Sequence, residues 1–412
     1  MEYYEVSLTS KAAILAVVFM AILPYTQKKN LGVRLLLFNY GPIFAFSYYF
    51  ILLFYLPFSD DYYLVTSVLA GFIFEGAVLF VVFWLLNRYF RLSRIPIDYS
   101  GALKLLIIVK VFIFFALVSQ ENFGILAGPE MARTSFLQNN KINKYLVYFW
   151  HSLMPVAAIF VAHTYAYYRK VSNVILALVA LEFLYSYLSG SKGSVLLWIF
   201  AIFALIPNSL LSTLKRKRVI IAMPILVMVS VVYVIFAAKN EGLDIDDFLN
   251  LASSRFFLNN DARALSLDFD SNILSVKSFF ESSFRGASGL IGFQPVDRPL
   301  GNVLFNRAFG ITDGRGSNAS LVALINYYLP PGLRLVFSVL FSFFTILIVS
   351  SFFILERFSY QHRDLRLIFL VLPINVIVAY SQDFLAFPLI LISSSMIAFF
   401  LLFVRKCKKG HC

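Results

Sequence analysis

The chain has 412 residues, of which 60% are hydrophobic and only 14% charged. A soluble globule carries roughly a quarter charged residues, so that class and a disordered chain are both excluded. The formal charge of +13 would suit a nucleic-acid binder, but membrane proteins collect Lys and Arg in cytoplasmic loops for topological reasons, so the placement of the charges decides their meaning.

Apolar runs long enough to cross a bilayer as helices predict an all-α, polytopic membrane protein of about eleven spans. They fall at about 12–27, 35–58, 63–86, 101–119, 145–168, 172–188, 194–211, 219–237, 333–355, 367–382 and 385–404. Every second connection is basic: Lys28, Lys29 and Arg34; Arg88, Arg91 and Arg94; Arg169 and Lys170; Lys215 to Arg218; Arg357, Arg363 and Arg366; and Arg405, Lys406, Lys408 and Lys409 at the end. With Lys104 these hold 20 of the 35 basic residues, against only Asp98, Glu356 and Asp364. Positive-inside then predicts a cytoplasmic C-terminus and an external N-terminus. The excess that might suggest nucleic acid is a topology signal, and no nucleic-acid partner is expected. Cys407 and Cys412 both lie in the basic tail, so neither a disulfide framework nor a metal-ligand spacing arises.

Three regions result: a membrane bundle over 1–237 holding spans one to eight, a large external loop over 238–332, and a second bundle with the tail over 333–412. Loops that long within a compact fold are seldom mere connectors. From Lys239 to Arg315 the loop has eight basic and ten acidic residues, so topology does not account for its arginines.

Four features of the chain bear chemistry. Arg133 lies in the other long external connection, about 120–144. The second feature is SGSKGS at 189–194, where Lys192 is the sole charge in a small-residue turn that opens a helix. That is an anion site or an ordinary tight turn. Third, SSRFFLNNDARALSL sets Arg255 and Arg263 eight residues apart, about two helical turns, so that on a helix both project from one face. Arg forks match phosphate oxygens, so the pair either clamps a diphosphate or forms surface ion pairs with Asp261, Asp268 or Asp270. Fourth, GRGSNASLVALINYYLPPG at 314–332 places Leu321, Leu324, Ile325 and Tyr328 at i, i+3, i+4 and i+7 and is stopped by Pro330, Pro331 and Gly332. It predicts a short amphipathic helix capped by Ser317 or Asn318, either re-entrant or lying on the surface. Among the spans, Glu75, Lys110 and Glu182 are ionisable; such residues face a bundle interior. They serve an ion relay, as in a transporter, or a structural pair such as Glu75 with Lys110. His151 and His163 lack ligand spacing and are expected as hydrogen-bonded core histidines.

The span number, the GSKGS turn, the arginine-bearing external loop and the SNASLVALINYYLPPG segment together resemble the Wzy-type O-antigen polymerases, the oligosaccharide repeat-unit polymerases, which are similar to GT-C fold glycosyltransferases. The likeness covers most of the chain as topology and about 50 residues as motif. Related O-antigen ligases carry a His-Asn pair where this chain has Ser317-Asn318, which weighs against a ligase. The resemblance implies a reaction at the periplasmic face of a bacterial inner membrane. A glycan on undecaprenyl diphosphate is transferred to the next lipid-linked repeat unit, with no cofactor and no metal, and a chain-length regulator as a further partner. It implies diphosphate binding by Arg255, Arg263, Lys192, Arg315 and Arg133, a base at Asp261 or Asp313, and a use for Tyr327 or Tyr328 against sugar faces, beside the plainer role of packing at the membrane interface. The rival reading is a flippase or other transporter of lipid-linked oligosaccharide, which commonly shows internal repeats; none is visible.

Overall fold

The computed structural model describes residues 42–43, 45–54, 56–89, 98–120, 141–189, 261–269, 274–284, 299–309, 319–358 and 366–408. All regular structure among them is helical. A helical segment over 45–52 leads to a short 3₁₀ turn, Leu56–Phe58. The α-helices that follow are α1 (Tyr62–Tyr89), α2 (Ser100–Val118), α3 (Lys141–Tyr168) and α4 (Asn173–Ser189), then α5 (Asp261–Asp268), α6 (Val276–Ser283), α7 (Leu300–Phe309) and α8 (Leu321–Tyr328), and finally α9 (Pro331–Phe358), α10 (Arg366–Gln382) and α11 (Phe387–Lys408).

Four of these are long and apolar enough to cross a membrane, over Tyr62–Leu85, Ser100–Val118, Tyr145–Tyr165 and Pro331–Ser351. Their limits lie within a few residues of the predicted spans. Shorter apolar helices occur at Ala45–Phe58, Asn173–Ser186 and Phe387–Phe400, again where spans are expected. The spans expected at 12–27, 194–211 and 219–237 lie outside the described residues. Outward faces of these helices are apolar: Ile108, Phe112 and Phe115 on α2, and Val336, Val339, Phe343 and Leu347 on α9, are all exposed. Such faces, at helical spacing, suit lipid and not water.

The chain divides into two compact units, one of residues 1–90 with 254–412, the other of 91–253. In the first, α1 and α9 form the principal helix pair. They run parallel, because their first turns meet. Arg334 on α9 donates from Nη1 to the Tyr63 carbonyl at 3.1 Å and to the Ser67 hydroxyl, and its guanidinium stands 5.0 Å from the Tyr63 ring centre. Its Nε donates to the Leu329 carbonyl at 2.9 Å, so one buried arginine holds the Pro330-Pro331-Gly332 corner against the start of α1. Asp61 starts that helix, its Oδ1 accepting from the Tyr63 and Leu64 amides at 2.8 and 3.3 Å.

The α10–α11 hairpin reaches only halfway along this pair. α1 and α9 have 28 residues each and α10 has 17, about 42 Å against about 25 Å at 1.5 Å per residue. Accordingly Tyr380, near the end of α10, lies against Phe74 at the middle of α1 (ring centres 5.8 Å apart), and its hydroxyl donates to the Phe341 carbonyl of α9 at 3.3 Å. Short helices of the 238–332 segment pack against the remaining half. α8 lies among α1, α5, α6, α9 and α10, and all eight of its residues are buried. Two backbone bonds hold its ends: Phe384 N–H donates to Ala319 O at 3.1 Å, and Ser275 N–H to Tyr328 O at 2.9 Å.

That burial corrects two expectations. α8 is no one-sided surface helix, because LVALINYY is apolar nearly all round and has neighbours on every side. Its cap is Ser320, whose hydroxyl accepts from Ala323 N–H at 3.1 Å. Ser317 and Asn318, the caps expected from sequence, precede the described residues.

The second unit contains α2, α3 and α4, with α2 packed against both of the others.

Candidate functional site

The candidate site lies where α5 meets the middle of α1 and the end of α10. α5 opens on Asp261 and buries Ala262, Ala264 and Leu265. Between those apolar positions Arg263 is only 1% exposed. Its Nε and Nη2 donate to Glu75 Oε1 at 2.9 and 2.5 Å, and Nη2 also donates to the Ser381 carbonyl at 3.1 Å. One guanidinium thus joins three elements that are far apart in sequence. Glu75 itself is fully buried.

The pair is asymmetric. A fork-to-fork contact would use both carboxylate oxygens, whereas here both nitrogens converge on Oε1. Glu75 Oε2 has no hydrogen-bond partner among the described residues. Close by, Tyr49 from the 45–52 segment lies over Gly71, one turn before Glu75; a Cβ on Gly71 would overlap the Tyr49 ring. Tyr49 is fully buried, in the field of Arg263 and Glu75 and next to the Asn326 amide of α8.

The second unit holds another buried charge pair. Lys110 Nζ on α2 stands 2.5 Å from Glu182 Oε1 on α4, and the indole N–H of Trp150 on α3 donates to Glu182 Oε2 at 3.1 Å. Lys110 also lies 3.9 Å from the centre of the Trp150 ring and donates to the Trp150 carbonyl at 3.5 Å. Trp150 in turn stacks on Tyr185 at 4.2 Å.

These contacts correct the expected Glu75–Lys110 pair. Glu75 takes Arg263, and Lys110 takes Glu182, because the two helices that carry Glu75 and Lys110 belong to different compact units. Arg263 is ion-paired with a carboxylate of a membrane-length helix. His163 is buried edge-on to Tyr99, with ring centres 5.8 Å apart, and its Nδ1 has no hydrogen-bond partner among the described residues, so aromatic packing stands where a hydrogen bond is expected. His151 lies edge-on to Tyr185 at 6.0 Å.

Of the other residues singled out in the sequence, Arg133, Lys192, Arg255, Asp313 and Arg315 lie outside the described residues. Asp261 is placed as the first residue of α5, its side chain outside the described set. Tyr327 and Tyr328 are buried in the core of the first unit, their rings edge-on at 4.9 Å, and the Arg307 guanidinium of α7 lies 5.6 Å from the Tyr327 ring centre. Sequence reasoning passed over Tyr49, Asn326, Arg334 and the Ser381 carbonyl. A signal existed for Asn326, an amide amid the apolar run LVALINYY, and for Arg334, a charge at the start of a span. Nothing marked Tyr49 among 23 tyrosines.

No protein family, characterised protein or solved structure was found to match the chain.

Proposed function

We propose that the protein joins undecaprenyl-diphosphate-linked oligosaccharide repeat units into a surface polysaccharide at the periplasmic face of a bacterial inner membrane. The observation that carries this reading is the packing of α8, from the long 238–332 segment, against the membrane-length helices α1 and α9, with α5 packed on α8 and tied to mid-α1 by the Arg263–Glu75 pair. A substrate with a lipid tail, a diphosphate and a glycan straddles the bilayer boundary. Chemistry on it requires polar groups held inside the bundle and not in a detached domain, and ionisable groups at that depth are costly unless they have a use.

In the reaction the acceptor hydroxyl oxygen bonds to the anomeric carbon of the donor glycan. The bond from that carbon to the diphosphate breaks, and its electron pair leaves with the diphosphate, while the hydroxyl proton passes to a carboxylate. Charge grows on the leaving oxygens, so arginine or lysine donors fixed there stabilise the transition state more than the ground state. In this reading Arg255, Lys192, Arg315 and Arg133 serve the diphosphate. Arg263, committed to Glu75, seats α5 in the bundle. Asp261 and Asp313 are the candidate bases.

Deletion of the gene in its host tests the reading. Lipid-linked material bearing a single repeat unit should remain while long chains vanish. Loss of all surface sugar with units trapped inside would instead mean a flippase, and normal polymer left on lipid would mean a ligase. Arg255→Ala should abolish polymer at normal membrane levels of the protein.

A further inference from the structure

α6, from the 238–332 segment, is pinned to the first unit at its start and along one face. A helix of only 8 residues would not hold by itself in water. The Ser275 hydroxyl caps it, accepting from the Lys277 and Ser278 amides at 3.1 and 3.4 Å, and the Ser275 N–H donates to Tyr328 O at the end of α8 at 2.9 Å. Phe279 is fully buried, its ring centre 5.4 Å from that of Phe337 and 5.9 Å from that of Phe341 on α9. The apolar face of α6 is wider than this contact. Phe280 and Phe284, one turn apart, are 41% and 53% exposed, and their rings stack at 6.3 Å with 16° between the planes. Lys277 and Glu281, also one turn apart, are exposed and paired at 3.8 Å, so the polar side has no net charge.

The surroundings of the two exposed rings follow from their level on α9. The Phe280 ring centre is 6.2 Å from that of Phe337, Phe337 is 6.2 Å from Phe341, and Phe341 is 6.0 Å from Phe344. This series of rings runs into the exposed apolar stripe of α9, where Leu340, Phe343, Phe344 and Leu347 face outward along a membrane-length helix. Phe337 lies about 9 Å past Pro331 at ~1.5 Å per residue, so Phe280 is level with the membrane-length part of α9 and not above it. An amphipathic helix lying in the interface sinks its apolar face by roughly 5–10 Å, which is this level. We propose that α6 is an interfacial helix whose Phe280 and Phe284 enter the acyl chains of the leaflet at which α1 and α9 begin, with Lys277 and Glu281 at the headgroups. Because the polar side is neutral, zwitterionic lipid suffices. This placement rests on the membrane character of α9 and not on the joining of glycans.

The test uses the full-length protein in phosphatidylcholine nanodiscs. Cys407 and Cys412 are replaced by Ser, and a nitroxide is attached to one new cysteine at a time, from Phe280→Cys, Phe284→Cys or Glu281→Cys. Relaxation of the nitroxide by oxygen, which concentrates among acyl chains, is compared with relaxation by a polar nickel chelate, which stays in water. Oxygen should dominate at positions 280 and 284, and nickel at position 281. Nickel dominating at all three positions would put the whole helix in water and overturn the proposal. Poor access to both reagents at 280 and 284 would mean that protein covers the rings, from elsewhere in the chain or from a second copy, and would overturn it equally. A measurement on the wild-type chain guards against variants that do not fold. Phosphatidylcholine bearing a photoactivatable diazirine on its acyl chain should label the peptide that contains Phe280 and Phe284; labelling of α9 without that peptide would refute the placement.

Discussion

The two buried ion pairs are built from the same chemistry and finished differently. In the second unit Glu182 spends both oxygens, one on Lys110 and the other on the Trp150 indole, and Lys110 is further covered by the Trp150 ring and carbonyl. In the first unit Glu75 spends one oxygen on two nitrogens of Arg263, and the other has no hydrogen-bond partner among the described residues. A closed network returns the desolvation cost of its charges as fixed geometry between three helices. The open one has remaining capacity for hydrogen bonds. Glu75 and Lys110 look alike in sequence, each a charge within an apolar run of a helix; only their partners separate them.

That contrast can be broken first at Arg263. Arg263→Ala strands Glu75 in the core and should cost about 3–5 kcal/mol, the penalty for an uncompensated buried charge, seen as a large drop in thermal midpoint. Replacing both members, Arg263→Met with Glu75→Leu, should recover most of it; a single variant as stable as wild type would show that the pair does not hold α5. Lys110→Met in the second unit should cost somewhat less, about 3 kcal/mol, because Glu182 keeps its bond from Trp150. Trp150→Phe removes that remaining donor and should cost about 1–3 kcal/mol. Gly71→Ala should cost about 1–3 kcal/mol by overpacking against the Tyr49 ring.

The smallest effect lies at the second unit's surface. The Tyr168 hydroxyl, donating to Asp98 Oδ2 at 2.6 Å, and the Ser100 amide on Oδ1 at 2.9 Å hold the Asp98 carboxyl below its ordinary range. A depressed folded-state value means that the contribution is present above the ordinary aspartate range and is lost as pH falls through the folded one. The group is exposed, so solvent screening keeps the contribution small. The midpoint difference between wild type and Asp98→Asn should therefore shrink on acidification below about pH 4. A difference that grows there would reverse the assignment.

Much of the architecture is legible along the chain. Hydropathy finds α1, α2, α3 and α9 as membrane-length helices because span detection needs only a local average over about 20 residues. The Pro330-Pro331-Gly332 stop and the 321–328 helix are equally local. Partners are another matter. Glu75 and Arg263 are 188 positions apart, and no periodicity distinguishes Arg263 from Lys110 as the partner of Glu75. The depth of α10 is likewise hidden, since its 17 residues could be a tilted span or half of a hairpin until Tyr380 is found against Phe74.

Composition and charge placement thus determine by themselves that this is an all-helical membrane protein, where most of its long helices fall, and that the 238–332 segment is unlike the rest. Tertiary structure decides that α8 of this segment packs against the membrane-length helices α1 and α9, and that Arg263 and not Lys110 neutralises Glu75. The reason is physical. Burial along a helix follows from the apolarity of the residues themselves, but the satisfaction of a buried polar atom depends on which distant element approaches it, and that is set only when the helices pack.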